Sequence, residues 1–220
     1  MNEVGGEDFG YVSNILSSLF QSLTCLLDCL NSTPIVKPNE VQASVVENGF
    51  SCGIISIAVN LLESAINRSK YLKGQEPKGN PVEYVREVTN DDKLSDELDE
   101  IYAARDAIVH NHLWEAKIKW ENGLMKFGGI PKLVKGYGNP RFRKVLDAGT
   151  RKTKRIRLNL FPPRIWRRDA YLILEVVNRA LQAIGEIDEV DYTQNYLNIN
   201  GQVLRFSELA EQLEIPEENE

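Results

Sequence analysis

Histidine and cysteine are scarce in this chain, and the scarcity removes several chemistries. Only two histidines, His110 and His112, occur in 220 residues. The tripeptide they form with Asn111 lacks the rest of a ββα-metal pattern, so a metal-dependent nuclease is a poor reading. Three cysteines are present, Cys25, Cys29 and Cys52. An odd number in apolar surroundings predicts reduced core thiols in a cytosolic protein. Cys25 and Cys29, four apart on one helix face, have no histidine or paired-cysteine motif beside them to complete a metal site.

Other signals are also missing. Neither "GYGNP" nor "NGLMKFGG" matches a phosphate loop or a dinucleotide fingerprint, and no serine or cysteine has a nucleophile signature around it. No cofactor and no metal are expected. There is no internal repeat and no low-complexity tract. The start, "MNEVGGEDFG", is acidic and lacks the basic region of a signal peptide. The apolar stretch from Tyr11 to Leu30 is interrupted by Asn14, Gln21 and Asp28. A second run, Gly53 to Ile66, contains Asn60 and Glu63 and is too short to cross a bilayer. Both read as buried helices, which predicts a cytoplasmic protein with no membrane partner.

What the chain does have is charge, strongly partitioned. Residues 1–110 carry 8 Lys+Arg against 17 Asp+Glu, residues 111–185 carry 17 against 5, and residues 186–220 carry 1 against 10. The overall net charge of −6 argues against nucleic acid, but phosphate binding depends on local charge, which the basic middle supplies. The alternative is that the basic segment pairs with the protein's own acidic parts or with an acidic partner. At this stage the two stand level.

Apolar spacing predicts a helix over residues 9–31, ended by the prolines of "NSTPIVKPN", and a second from about Val41 to Leu72, weakened in its first half by Gly49 and Gly53. "PVEYVREV" reads as a short helix with Pro81 at its first position. A long helix begins near Ser95 and runs towards His112, with Leu94, Leu98, Ile101, Ile108 and Val109 as its buried stripe. "WEAKIKW", the turn "ENG" and "LMKF" form a β-hairpin signal. "TKRIRLNLF" suggests one more strand, and a last long helix spans about Arg164 to Ile187. Asn200-Gly201 marks a small hairpin, followed by a short helix and a frayed end.

The expected fold is therefore mainly α. It is one domain over 1–220: a bundle of four to five helices at about 9–113 and 164–187, a basic β-containing insertion at about 114–163, and a C-terminal hairpin and short helix at about 188–220.

The stretch "ARDAIVHNHLWE", residues 104–115, holds both histidines beside Arg105 and Asp106. At ~100° per residue, Arg105 falls on the stripe of Leu98, Ile101 and Val109. A guanidinium pointing into a packed face must be paired or reach an opening. On the same wheel His110 lies ~140° and His112 ~20° from Arg105, so a straight helix separates Arg105 from His110 and brings it nearer to His112. The structural alternative is an arginine paired with an acid such as Glu63, and two histidines satisfying a helix C-terminus.

"RDAIVH" resembles the signature of the HEPN superfamily: an arginine, an adjacent polar residue, and a histidine after roughly four to six residues. Arg105, Asp106 and His110 fit the commonest spacing and His112 the longest. HEPN domains are helical bundles with this motif near the end of a late helix, and "NLLESAI" with Glu63 looks like the acidic element of an earlier one. The resemblance covers residues 9–113 and 164–187, but not the basic insertion or the C-terminal hairpin. It implies a metal-independent endoribonuclease of toxin or phage-defence type that works as a homodimer, with two motifs facing each other. Many relatives are toxins with a protein antitoxin, some are partners of nucleotidyltransferases, and others are non-catalytic interaction modules.

The residue types suit that chemistry. Imidazole titrates near neutral pH and serves as base or acid, and a guanidinium stabilises the charge gathering on a phosphorane. RNA would run over Lys152, Lys154, Arg155, Arg157, Arg167 and Arg168. Trp114, Trp120, Tyr137 and Phe142 lie near these charges, either to stack on bases or, as expected for Trp114 and Trp120, to form the hairpin's own small core.

Overall fold

The structure, a computed structural model, describes residues 16–110, 114–134, 140–193, 197–199, 202–213 and 215. The helices are α1 (Leu16–Asn31), α2 (Val45–Leu72), α3 (Pro81–Thr89), α4 (Asp92–Val109), α5 (Pro140–Val145) and α6 (Arg167–Asp188). Short strands fill the insertion: β1 (Trp114–Glu115), β2 (Ile118–Glu121), β3 (Leu124–Phe127), β4 (Lys132–Leu133), β5 (Leu146–Asp147) and β6 (Lys152–Thr153). A C-terminal ribbon of β7 (Leu197–Ile199) and β8 (Gln202–Leu204) precedes two 3-10 turns, Phe206–Glu208 and Ala210–Gln212. The mainly α class is as expected.

Local chemistry sets the helix starts. Ser44 caps α2 by accepting from the Glu47 amide at 3.3 Å, and Asp91 caps α4 by accepting from the Leu94 amide at 2.9 Å. Asn80 caps α3 by accepting from the Val82 amide at 3.1 Å, with Pro81 at its first position. α4 thus begins at Asp92, earlier than the Ser95 expected. α2 runs unbroken for 28 residues through Gly49 and Gly53, longer than the apolar run alone suggests. Gly53 is where α1 comes close: a Cβ there would sit 3.0 Å from Leu26 Cδ1. By length and composition α2 could span a bilayer, yet half of its apolar window is buried inside the bundle, as in the core helix of a globular protein.

α2 is the axis of the core. It packs on α1, α6 and α4, and α6 packs in turn on α3 and α4. Leu23, Leu27, Ile54, Ile55, Leu62, Leu98, Ile101, Ile173 and Val177 are buried here, each contributing roughly 1.5–3 kcal/mol of apolar burial. Phe142, Val145, Leu158 and Leu160 of the insertion, with Tyr192, Phe206 and Leu209 of the C-terminal segment, join the same core. A smaller cluster of Val41, Phe127 and Phe161 takes in Trp114, Ala116 and Met125.

Three expectations are corrected. Val109 is 54% exposed, because the last turn of α4 leaves the core; the inward face there is made by Ala103, Ala104 and Ala107. Cys25 and Cys29 lie on the exposed side of α1 and are not core thiols. "TKRIRLNLF" is not a continuous strand. Thr153 exchanges backbone and side-chain hydrogen bonds with Leu158 at 2.8 and 3.0 Å, and Arg157 adopts φ of +61°. The reason lies on α4: the buried Glu100 carboxylate accepts the Arg155 and Ile156 amides at 2.8 and 2.9 Å, which bends the chain back.

The β2–β3 hairpin forms as expected, Ile118 opposite Phe127 and Trp120 opposite Met125. Asn122 and Gly123 both take positive φ, 51° and 74°, as a tight two-residue turn of the primed kind requires. β7 and β8 pair with Ile199 opposite Gln202, which brackets the two residues at Asn200-Gly201.

Candidate active site

The C-terminal half of α4 carries the motif. The Arg105 side chain is 20% exposed, and its Nε is buried. Its Nε lies 3.1 Å from Asp106 Oδ1, an ion pair without hydrogen-bond alignment, and its far nitrogen lies 4.0 Å from Glu63 Oε2 on α2. His110 caps the helix, its backbone N–H donating to Asp106 O at 2.9 Å. The His110 ring is 63% exposed, with Nε2 4.0 Å from the same Asp106 Oδ1.

The wheel separation of Arg105 and His110 is therefore bridged by a third residue. Asp106 sits between them in angle, one step from Arg105 and four from His110, and one carboxylate oxygen faces both the guanidinium and the imidazole. Glu63, Arg105, Asp106 and His110 come together. His112 lies outside the described residues.

Two residues that the sequence reading missed belong to the same place. The Tyr102 ring is 1% exposed and lies under two guanidinium groups, Arg105 and Arg141, each 5.5 Å from its centroid. Its hydroxyl is buried and finds no hydrogen-bond partner among the described residues. Burial, then the nearby Glu63 charge, push that hydroxyl's pKa well above its ordinary value, against the opposing pull of Arg105 and Arg141. Tyr102 was legible three residues before Arg105 on one helix face. Arg141, brought from the insertion by α5, was not.

The basic segment is largely spent inside the fold. Asp96 pairs with Arg155, and with Arg86 at 3.4 Å. Glu97 takes Arg179 at 2.6 Å, and Asp99 takes Arg141 and Lys144 at 3.3 and 2.9 Å. Arg157 pairs with Asp147 at 3.0 Å, and Lys154 Nζ donates to the Lys144 carbonyl at 2.6 Å. Lys152 and Arg168 are half-buried and also engaged.

Arg167 is a correction. It is 1% exposed, pairs with the fully buried Glu47 at 2.7 Å and donates to the Thr33 carbonyl at 3.1 Å, so it holds the α1–α2 loop and meets no RNA. Of the aromatics, Phe142 is fully buried and Trp114 packs edge-on against it and Phe161. Trp120, expected in a small core, is 70% exposed instead. Tyr137 lies outside the described residues.

Chemically, the motif of one chain offers one guanidinium, one solvent-facing imidazole, and two carboxylates beside them, with Arg141 as a second guanidinium across the Tyr102 ring. Among the described residues no group of three His, Cys, Asp or Glu side chains is placed to hold a metal ion. No family model, curated protein or solved structure matches the chain.

Proposed function

We propose that this protein is a metal-independent endoribonuclease of HEPN type, in which Arg105 and His110 act across a homodimer interface. The observation that carries the reading is the shared carboxylate oxygen: Asp106 Oδ1 lies 3.1 Å from Arg105 Nε and 4.0 Å from His110 Nε2 at an open helix end. The imidazole takes the proton of the RNA 2′-hydroxyl, which attacks the adjacent phosphorus and expels the 5′-oxygen. The strand ends in a 2′,3′-cyclic phosphate, and the leaving oxygen must receive a proton. Arg105 meets the charge gathering on the non-bridging oxygens. Separate base and acid call for two imidazoles, which two facing copies of the motif supply. Asp106 and Glu63 are positioning residues that hold the guanidinium and the ring.

A second reading, a non-catalytic helical interaction module, is favoured by one observation. The α4 acids neutralise much of the basic insertion, leaving less free charge for RNA than the sequence suggests.

Cleavage of mixed RNA in EDTA separates the two. Wild type is expected to cut and leave cyclic phosphate ends, and Arg105→Ala and His110→Ala to lose about a hundredfold or more while remaining folded. A His112→Ala variant that alone abolishes cutting would move the imidazole role to His112. Intact RNA at high protein concentration, or a stable monomer in sedimentation, would overturn the shared-site mechanism.

A further inference from the structure

The cations of the insertion do not all share one fate. Arg141, Lys144, Arg155 and Arg157 are matched by carboxylates, and Lys119 and Lys126 pair with Glu121. Lys132 on β4, Arg143 on α5 and Arg151 after β5 make no ion pair among the described residues. These three converge on one cleft of about 600 Å³ between β1, β4 and β5.

No carboxylate lines that cleft among the described residues. Asp147, next in sequence to its wall, is turned to Arg157 and to the Gly149 amide at 3.0 Å. The remaining wall is apolar, including Ile130 and Leu146. Two further donors belong to lining residues: Trp114 Nε1 and Arg151 Nε are both buried without a hydrogen-bond partner. Unmet buried donors are costly in a folded protein, so their presence beside an unpaired cation set calls for an acceptor. The Arg151 guanidinium lies 4.8 Å over the Phe127 ring, and Arg151 itself takes φ of +59° in the turn that delivers it. Burial, then the nearby Arg164 charge, pull the Arg151 pKa below its ordinary value, with the Glu40 charge opposing them.

We infer that this cleft binds a single nucleotide, with its phosphate held by Lys132, Arg143 and Arg151 and its base against the apolar wall. The cleft's size lies in the range of small-molecule sites. Three converging cations suit a phosphate dianion better than a single carboxylate charge, and a lining of cations and N–H donors favours an acceptor-rich anion over a cationic ligand. Free nucleotide and one nucleotide of an RNA strand present the same chemistry. The inference does not depend on the RNase reading, because Arg105 and His110 are absent from the lining.

The test is titration calorimetry on the full chain with AMP, adenosine, ribose 5-phosphate and tetra-adenylate. AMP is expected to bind saturably and more tightly than either half. Arg143→Glu and Lys132→Glu, both at exposed positions, are expected to weaken it about tenfold or more with unchanged thermal unfolding. Arg105→Ala is expected to bind AMP as wild type does, so loss of cleavage and loss of this site are told apart. Tetra-adenylate binding without AMP binding, lost in the same two variants, assigns the cleft to a strand. Ribose 5-phosphate as tight as AMP, unaltered affinity in both charge-reversal variants, or no saturable binding at millimolar ligand would overturn the inference.

Discussion

Arg167 and Glu47, 120 residues apart, form a fully buried ion pair, with Nε donating to Oε1 at 2.7 Å and side chains 1% and 0% exposed. The pair joins the first turn of α6 to the first turn of α2. Removing one partner strands a charge in the core, so Arg167→Met is expected to cost about 3–5 kcal/mol. That corresponds to roughly ten degrees in Tm for a chain of this size. Glu47→Gln should cost less, because the amide keeps an acceptor. The double variant Glu47→Leu/Arg167→Met should lose less than the sum of its single changes. An unchanged Tm in Arg167→Met would show that the pair is not formed.

Glu100 holds the insertion to the bundle by accepting the Arg155 and Ile156 amides. Glu100→Ala leaves those amides without an acceptor, a loss of about 1–3 kcal/mol that falls mainly on the local turn. Trypsin is the natural probe, since Lys154, Arg155 and Arg157 lie there. Cutting in that turn should accelerate in Glu100→Ala well before global unfolding, and hydrogen exchange at Arg155 and Ile156 should speed up in parallel. Unchanged proteolysis would mean that the turn is held by other contacts.

The three thiols should divide two to one. Cys25 and Cys29 are exposed, and burial pushes the Cys52 thiol up to about 12, with the nearby Asp169 adding to the rise. A thiol reagent at pH 8 is expected to modify two cysteines readily and the third only on unfolding. Modification of Cys52 at the same rate would contradict the packing of α2.

Asp188 near the end of α6 gives a pH signature. Burial alone raises its carboxyl, but hydrogen bonds from Lys73, Ser69 and Tyr192 outweigh that and hold it below its ordinary value of 3.8. The Lys73 Nζ–Oδ1 distance is 2.7 Å and the Tyr192 hydroxyl donates to Oδ2 at 2.9 Å. A depressed carboxyl stabilises the fold above its ordinary value and loses that contribution as pH falls through the folded value. Asp188→Asn should therefore cost on the order of 2 kcal/mol at pH 7. The gap to wild type should close under acid conditions, as urea unfolding across pH would register. A gap that widened in acid would reverse the assignment.

The sequence by itself determined the helical class, the hairpin at Asn122-Gly123, the short helix opened by Pro81, and the residues of the motif. These are local properties: apolar period, turn chemistry and caps act within a few residues of the chain. It also placed Glu63, Arg105, Asp106 and His110 on two helices, but left Arg105 and His110 apart on the wheel. Only the tertiary structure decided how those residues meet, with the Asp106 carboxylate facing both. It likewise decided which cations remain unpaired, because Asp99 reaches Lys144, 45 residues away, and Asp96 reaches Arg155, 59 residues away. Arg167 and Arg143 read alike in the sequence as members of one basic segment. Packing buries the first against Glu47 and leaves the second at an open cleft, since charge pairing is settled by what each helix face meets in space.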